Sequence, residues 1–260
     1  MGKLFLVRHG QASFGAADYD KLSDLGRQQS RRLGEYWRGK GQTFDAILVG
    51  TLNRHAQTLE GILEGMAGGS AAHEVASVGA QFPDGPPLGK LAPSGGSAAH
   101  EVASVGAISP ILWPGLNEYD SAALIAAIHP EPLKKPDTPE LYRHHFRLLK
   151  DGLTQWMNGV VSPKGMPSYV DFQTGVTSAL DYVLANCDGN VLMVSSGGPI
   201  STAVGHVLGT TPETTIELNL RIRNASITEF AFTPKRHMLV TYNTLPHLDH
   251  ADHASWVTYA

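Results

Sequence analysis

Lys3-Leu-Phe-Leu-Val7 runs directly into Arg8-His9-Gly10, and this stretch decides the fold class. A short apolar run that stops at polar residues and a glycine is typical of a buried strand that delivers a loop at its carboxyl end. The same pattern recurs at 45–49 and at 190–195, each time shortly before a glycine. Because ligands of α/β proteins bind at the carboxyl ends of the strands, the three loops are candidate parts of one site.

Segments with helical patterns alternate with these strands. Ser23 can cap a helix over 24–38, and Gly50-Thr51 opens a helix running toward Leu63. Further helices are predicted over 121–127, 139–156 and 172–185, and further strands over 108–112, 225–232 and 238–242. This alternation predicts an α/β fold with three layers, a mostly parallel sheet with helices on both faces. The length of 260 residues suits a single domain over 1–260.

The composition predicts a globular protein. Hydrophobic residues make up 42% of the chain and charged residues 17%, and the formal net charge is -4. A chain without a basic surplus is not a general nucleic-acid binder, so we expect no nucleic-acid partner. The sequence has neither a stretch long enough to span a membrane nor a signal-peptide pattern, and its one cysteine, Cys187, cannot form an internal disulfide. The expected location is therefore cytoplasmic, with no membrane partner.

One stretch interrupts the alternation of strands and helices. Residues 68–80 recur identically as residues 95–107, inside a stretch rich in Gly, Ala, Ser and Pro at about 66–107. Two copies are too few for a solenoid, which needs three or more repeats. We interpret the stretch as an insertion into the domain that arose by duplication. The sequence leaves two roles open for it: a surface loop, or a lid that covers the cleft and selects the substrate.

Four polar segments carry residues suited to phosphate chemistry. Arg8 and His9 follow the first strand, and Arg54 lies in the first turn of a helix, where the backbone amides attract anions. Glu118 follows a short apolar segment. Ser196-Gly197 ends the strand over 190–195, where backbone N–H groups can face a phosphate. Each segment alone is weak evidence, since most arginines and acids of a protein are simply solvated.

In this order, the four segments resemble the histidine phosphatase superfamily, whose fold is also called phosphoglycerate mutase-like. The resemblance covers most of the chain outside the insertion, and the flanking segments 22–28 and 224–228 share it. It implies that His9 is the phosphorylated nucleophile and that Glu118 donates a proton to the leaving oxygen. It also implies a phosphate site that needs neither a metal nor a cofactor, formed by Arg8, Arg54, Ser196 and Gly197.

The residue types support this implication on chemical grounds. A phosphate monoester is a dianion at neutral pH, and two arginines offer fixed forks of donors that match its oxygens. A neutral imidazole held in line can attack phosphorus, while the arginines stabilise charge on the equatorial oxygens. A protonated Glu118 can help the alcohol leave and then deprotonate the incoming water. The expected activity is hydrolysis of a small phosphorylated substrate, and the sequence leaves the oligomeric state undetermined.

Ser196 departs from the family pattern, which has a second histidine at this position. A serine keeps one hydroxyl donor but loses the positive charge that a histidine can carry. Losing a charge-assisted hydrogen bond costs about 1.5–3 kcal/mol, or about tenfold to a few hundredfold in rate. The sequence therefore leaves open an active phosphatase and an impaired phosphate-binding pseudophosphatase. His247 is our hypothesis for a histidine that fills the gap.

Two further activities are weaker alternatives. Phosphoglycerate mutase-type phosphoryl transfer is disfavoured, because Tyr119-Asp120-Ser121 follows Glu118 where the cofactor-dependent mutases have Arg-His-Tyr-Gly. In the tail, His247, His250 and His253 are spaced three apart and would suit a metal ion if the segment were helical. A polar C-terminal segment is the simpler interpretation of the tail.

Overall fold

The computed structural model describes residues 1–12, 20–68, 108–131, 133 and 138–259. Almost all of the insertion expected at 66–107 lies outside these ranges. No helix within them is long and apolar enough to cross a membrane. The strands are β1 (Gly2–Arg8), β2 (Ala46–Val49), β3 (Ile111–Leu112), β4 (Asn190–Ser195), β5 (Ile227–Thr233) and β6 (Arg236–Thr244). The α-helices are α1 (Asp24–Gly39), α2 (Asn53–Ala67), α3 (Ser121–Ile128), α4 (Pro139–Met157), α5 (Tyr169–Asn186), α6 (Gly197–Leu208) and α7 (Pro212–Arg221).

The described strands form one sheet in the order β3-β2-β4-β1-β5-β6. β1 and β2 both pair with β4 in parallel, and β3 pairs with β2 in parallel. β5 is antiparallel to β1 and to β6, so it alone runs against the other described strands. The expected α/β fold with a mostly parallel sheet is confirmed. Its parallel half places the ends of β1, β2 and β4 side by side.

Alternate residues of the central strands point to opposite faces of the sheet. On β1, Leu4 and Leu6 belong to one apolar cluster, whereas Phe5 and Val7 belong to another. The first cluster is completed by side chains of α3, α4, α5, α6 and α7, and the second by side chains of α1 and α2. Burial on both faces explains why the central strands are continuous apolar runs. The three layers expected from the sequence are confirmed.

Two elements differ from the sequence-based expectation. β3 covers only Ile111–Leu112 of the expected 108–112, because only these residues pair with β2. Helix α7 was not among the predicted helices: Arg221 is its last residue, and β5 begins only at Ile227 of the expected 225–232. The signal for α7 is Thr211-Pro212, since the Thr211 side chain accepts a hydrogen bond from Thr214 N and proline suits the first turn.

Helices α1 and α2 pack closely because glycines lie where they cross. A Cβ at Gly34 of α1 would overlap the carbonyl oxygen of Ile62, and one at Gly65 of α2 would overlap the backbone of α1. Further along α1, Gly26 lies against the backbone of Gln11, in the loop that follows β1. The absence of side chains at these positions therefore lets α1 hold both α2 and the loop after β1.

We expect the substitution Gly34→Ala to destabilise the protein by about 1–3 kcal/mol, the usual cost of forcing an extra methyl group into a packed interface. The Gly39→Ala variant is the matched control in the same helix, since a Cβ there has no atom within 4 Å. Alanine is the better helix former, so the control should be neutral or slightly stabilising. Urea unfolding of both variants measures the difference. Equal stability of the two variants would contradict the close helix crossing.

Candidate active site

The loops after β1, β2 and β4 meet at one edge of the sheet. Arg8 at the end of β1 is paired with Ser195 at the end of β4, and His9 N donates a hydrogen bond to Ser195 O at 2.9 Å. Gly50 N, just after β2, donates to Val194 O at 3.1 Å. Because the three strands are parallel and in register, β1, β4 and β2 end side by side, and the loops that follow them begin next to one another. Ligands of open α/β sheets bind at such an edge.

His9 is buried, and its ring is held in one orientation. Its Nδ1 lies 2.7 Å from the carbonyl oxygen of Gly10. A carbonyl can only accept, so Nδ1 carries the hydrogen and Nε2 carries the lone pair. Burial, followed by the charges of Arg8 and Arg54 and the neighbouring His55, places the pKa of His9 well below its usual value. The ring is therefore neutral at physiological pH, with a nucleophilic Nε2.

The loop that carries His9 is fixed from two sides. His9 O accepts hydrogen bonds from Ala225 N at 3.2 Å and from Asn224 Nδ2 at 3.3 Å. Gly10 N donates to the hydroxyl of Thr58 on α2 at 3.1 Å. That hydroxyl in turn donates to the carbonyl oxygen of Arg54 at 2.7 Å. The backbone of His9 and the first turn of α2 are thus connected through Thr58.

Arg8 and Arg54 come from different elements and act on the same pocket. Both are largely buried, with 9% and 8% of their surface exposed. Arg8 Nη1 donates to Ile222 O at 2.6 Å and also to the carbonyl oxygen of Tyr259. Arg54 Nη1 forms an ion pair with Asp20 Oδ1 at 2.9 Å. Both guanidinium groups influence the pKa of His9, as they do that of Glu118, so the structure brings together the residues singled out at 8, 9 and 54.

Glu118 belongs to the segment before α3 and lies in space against the first turn of α6. It follows the short 3-10 helix Pro114–Leu116, and both of its carboxyl oxygens lie 3.2 Å from Gly198 N, which donates to them. Burial raises the pKa of Glu118, against the lowering effects of the Gly198 N–H group and of Arg54 and Arg8. A Cβ at position 198 would overlap Glu118 Oε1. The glycine is therefore what lets the carboxyl group approach the helix terminus.

Ser196 and Gly197 connect β4 to α6. Gly197 begins α6, and a Cβ there would come within 3.7 Å of Arg8 Nε, so this turn lies against Arg8. Ser196 is the N-cap residue of α6, but its side chain makes no capping hydrogen bond. Its hydroxyl instead lies 2.7 Å from His55 Nε2. The five positions expected to bind or attack phosphate, and Glu118, are thus close to one another at the ends of β1 and β4.

His55 was not among the candidate residues of the sequence, although it directly follows Arg54. It is fully buried, and its ring centroid lies 5.8 Å from that of His9. Burial and the neighbouring Arg54 lower the pKa of His55 to about 3. The sequence signal that could have identified His55 is the Arg54-His55 pair in the first turn of a helix. Its meaning depends on which strand end the helix faces, and that is not visible in the sequence.

His247 does not take the place proposed for it. It is buried in the 3-10 helix Pro246–Leu248, which packs against α1. Burial lowers the pKa of His247 to about 3, and the charged groups that add to this effect are Arg32 and His253. The histidine beside Ser196 is His55, because α2 passes the end of β4 whereas the chain after β6 returns to the outer face of α1.

The tail does not form the metal site considered as an alternative. Among the described residues no group of three or more His, Cys, Asp or Glu side chains is arranged to hold a metal ion. His250 instead caps the 3-10 helix Ala251–Trp256 through Asp252 N. The spacing of the three histidines suggested an α-helix, but two separate 3-10 helices form there.

A cavity of about 400 Å³ lies on one side of Glu118. Its wall includes Asn117, Glu118 and Asp120 from the segment before α3, and Met166 and Phe172 from the segment around the start of α5. His9 does not line it. Glu118 thus lies within the influence of both arginines and also borders a space large enough for the organic part of a small molecule.

Solved structures of phosphatases share this fold. A phosphoserine phosphatase mutant from Entamoeba histolytica, in complex with phosphoserine, is 19% identical, with 95% of this chain and 100% of that chain covered and a TM-score of 0.56. An α-ribazole phosphatase from Shigella flexneri is 15% identical, with 93% and 96% covered and a TM-score of 0.54. A mycobacterial glucosyl-3-phosphoglycerate phosphatase is 18% identical, with 94% and 99% covered and a TM-score of 0.54.

The sequence itself matches a protein family. The model of the histidine phosphatase superfamily (branch 1) matches residues 4–74 and 98–245, which is well over half of the chain. The unmatched residues 75–97 fall within the expected insertion. The matched part contains the ends of β1, β2 and β4 and the segment of Glu118. This chain therefore belongs to branch 1 of the histidine phosphatase superfamily.

Proposed function

We propose that the protein is a phosphomonoester hydrolase that works through a phosphohistidine at His9 and requires no metal. Membership of the superfamily and the phosphatase neighbours support phosphatase activity. The single observation that carries the finer proposal is the state of His9, a neutral imidazole with Nδ1 bound to Gly10 O and two guanidinium groups beside it. The Nε2 lone pair of such a ring can attack the phosphorus of a phosphate group that Arg8 and Arg54 bind.

The first step is binding of the phosphate dianion. Arg8 and Arg54 supply charged donors, and the start of α6 adds the Ser196 hydroxyl and the Gly197 N–H group. Asp20 is already paired with Arg54 at 2.9 Å, so a bound phosphate shares this guanidinium with a carboxylate. Arg8 is held by the backbone carbonyls of Ile222 and Tyr259, which fix the position of its guanidinium group.

The chemical steps follow from the positions of His9 and Glu118. His9 Nε2 attacks phosphorus, the bond from phosphorus to the ester oxygen breaks, and the Glu118 carboxyl proton passes to that oxygen. Water then attacks the phosphohistidine while Glu118 takes a proton from it. The N–P bond breaks, inorganic phosphate leaves, and both side chains return to their starting protonation states. The raised pKa of Glu118 favours the protonated form that the first step needs.

Hydrolysis is favoured over phosphoryl transfer between two positions of a sugar acid. Tyr119 follows Glu118, accepts a hydrogen bond from Asn219 Nδ2 at 2.7 Å and packs against Trp156 and Phe172. This position is therefore used for packing and supplies no cation for the carboxylate of a phosphoglycerate.

The proposal is tested by turnover of a panel of phosphate esters, beginning with p-nitrophenyl phosphate, by protein treated with a chelator. We expect release of inorganic phosphate with unchanged rate after chelation. Binding of inorganic phosphate without turnover of any ester would overturn the hydrolase and leave the pseudophosphatase. Activity that is lost with the chelator and restored by a divalent ion would overturn metal independence.

We expect Gly198→Ala to lower kcat for alkyl phosphates by about 10- to 100-fold, because the added Cβ displaces Glu118 from the helix terminus. Ser201→Ala is the matched control in α6; it removes only a hydroxyl that donates to Gly198 O at 2.9 Å. The control should keep kcat within about twofold, well below the loss expected for a misplaced proton donor. Steady-state kinetics on folded variants measures both. Full activity of Gly198→Ala would show that the position of Glu118 is not needed.

A further inference from the structure

The steps above leave one buried ionisable side chain at the site without a role. His55 on α2 has no exposed surface, and neither has Ser196 beside it. Burying a polar ring is costly unless its nitrogens find partners. Here Nε2 lies 2.7 Å from Ser196 Oγ, and the Nδ1 side of the ring lies against Gly50, whose backbone accepts a hydrogen bond from the ring and so raises its pKa against the effect of burial. The ring is therefore held between the ends of β2 and β4.

Ser196 uses its hydroxyl in an unusual way for its position. A serine at a helix N-cap normally accepts a hydrogen bond from an amide of the first turn. Ser196 occupies the N-cap position of α6 without making that bond, and its hydroxyl contacts His55 instead. The direction of the hydroxyl proton is consequently set by His55 and not by the helix.

The two neutral tautomers of His55 give opposite results at the pocket. If Nε2 carries the hydrogen, it donates to Ser196 Oγ, and the hydroxyl proton is left to donate to another acceptor. If Nε2 carries the lone pair, the hydroxyl donates to His55, and only oxygen lone pairs remain toward the pocket. A phosphate dianion attracts donors and repels lone pairs, so its binding selects the first arrangement.

We propose that His55 is a positioning residue that donates to Ser196 Oγ and thereby directs the Ser196 hydroxyl proton to an oxygen of the bound phosphate. The inference rests on the proposed function and extends it by a residue on α2. It also gives a physical reason why serine suffices at position 196: His55 on the neighbouring helix α2 supplies an imidazole, which acts on the phosphate through the Ser196 hydroxyl. Burial lowers the pKa of His55 to about 3 and keeps the ring neutral. Because the Gly50 backbone favours a hydrogen on Nδ1, phosphate binding has to shift this hydrogen to Nε2 for His55 to donate to Ser196.

The first test is a double-mutant cycle with His55→Ala and Ser196→Ala. Each variant should lower kcat/KM for p-nitrophenyl phosphate by about 10- to 100-fold, the range expected for one hydrogen bond to a charged group. Each should also raise the inhibition constant of inorganic phosphate. Because both act through the same hydroxyl, the double variant should be no worse than either single one. Losses that multiply would mean that the two residues act independently and would overturn the proposal.

The second test keeps the proposal falsifiable if His55→Ala unfolds. His55→Gln retains an N–H donor near the Ser196 hydroxyl and should recover most of the activity in the presence of Ser196, but none with Ser196→Ala. His237→Ala is the control, a half-buried histidine that contacts Leu180 O at 3.1 Å outside the site. It should leave kcat/KM and the inhibition by phosphate unchanged, whatever it does to the melting temperature.

The outcomes separate this inference from the proposed function. A wild-type protein without turnover ends the hydrolase proposal, and isothermal titration with inorganic phosphate then still reports on the Ser196 donor. A wild-type protein with turnover, together with His55→Ala and Ser196→Ala variants of full activity and full phosphate affinity, ends the inference alone.

Discussion

Replacing His9 with alanine is expected to lower kcat for every phosphate ester by at least about 10³-fold, in line with the loss of other covalent nucleophiles. His9 Nε2 carries a lone pair close to Arg8 and Arg54, and burial holds the pKa of His9 well below its usual value, so the ring is neutral at physiological pH. Stopped and continuous assays with p-nitrophenyl phosphate measure the loss. Protein quenched with alkali or a denaturant during turnover should carry alkali-stable, acid-labile phosphate only when His9 is present.

Binding of inorganic phosphate distinguishes loss of the nucleophile from loss of the whole phosphate site. Inorganic phosphate should still bind to His9→Ala, since both guanidinium groups remain, so loss of turnover without loss of binding identifies the nucleophile. His144→Ala, on the exposed face of α4, should retain full activity. Full turnover by His9→Ala would remove the phosphohistidine from the mechanism, whatever the other residues do.

Replacing Glu118 with glutamine is expected to affect esters according to their leaving groups. An alkyl alcohol leaves poorly without a proton, so kcat for alkyl phosphates should fall by about 10²- to 10⁴-fold, the range of general acid catalysis. p-Nitrophenolate leaves without help, and its ester should lose far less. Glutamine preserves the acceptor oxygen that faces Gly198 N, so the local structure is retained. A plot of log kcat against leaving-group pKa should become steeper in the variant.

The pH profile provides a second measurement of the same residue. Glu118 donates only when protonated, so the rate with alkyl phosphates should fall as pH rises through its pKa. Burial raises that pKa, which moves the decline to higher pH than for an ordinary glutamate. The decline should be absent from Glu118→Gln. Asp120→Asn is the control, because Asp120 lines the same cavity but serves as the N-cap of α3. A leaving-group dependence unchanged by Glu118→Gln would assign the proton to another group.

Local sequence patterns were enough to predict the sheet and its central strands. The apolar runs at 3–7, 45–49 and 190–195 are buried on both faces, so they stand out from the alternating patterns of exposed strands. Helix α1 was equally readable, since Ser23 caps it and accepts a hydrogen bond from Gly26 N. Helix α7 was overlooked because its signal is a single capping pair, Thr211-Pro212, with few buried apolar residues behind it.

The residues at strand ends could be singled out from the chain alone, because a polar residue straight after a buried strand must face the edge where ligands bind. His9 follows this rule, and Arg8 ends the same strand. Arg54 was singled out because it lies in the first turn of the helix after β2, where backbone amides attract anions, and Glu118 was found with them through the resemblance of their segments. The partner of Ser196 follows no such rule. Both His55 and His247 are buried, and in sequence His247 is the nearer to Ser196. Only the packing of α2 against the end of β4, and of the tail against α1, decides which imidazole meets the serine hydroxyl, since a hydrogen bond depends on distances of a few tenths of an ångström that hydrophobic patterning does not encode.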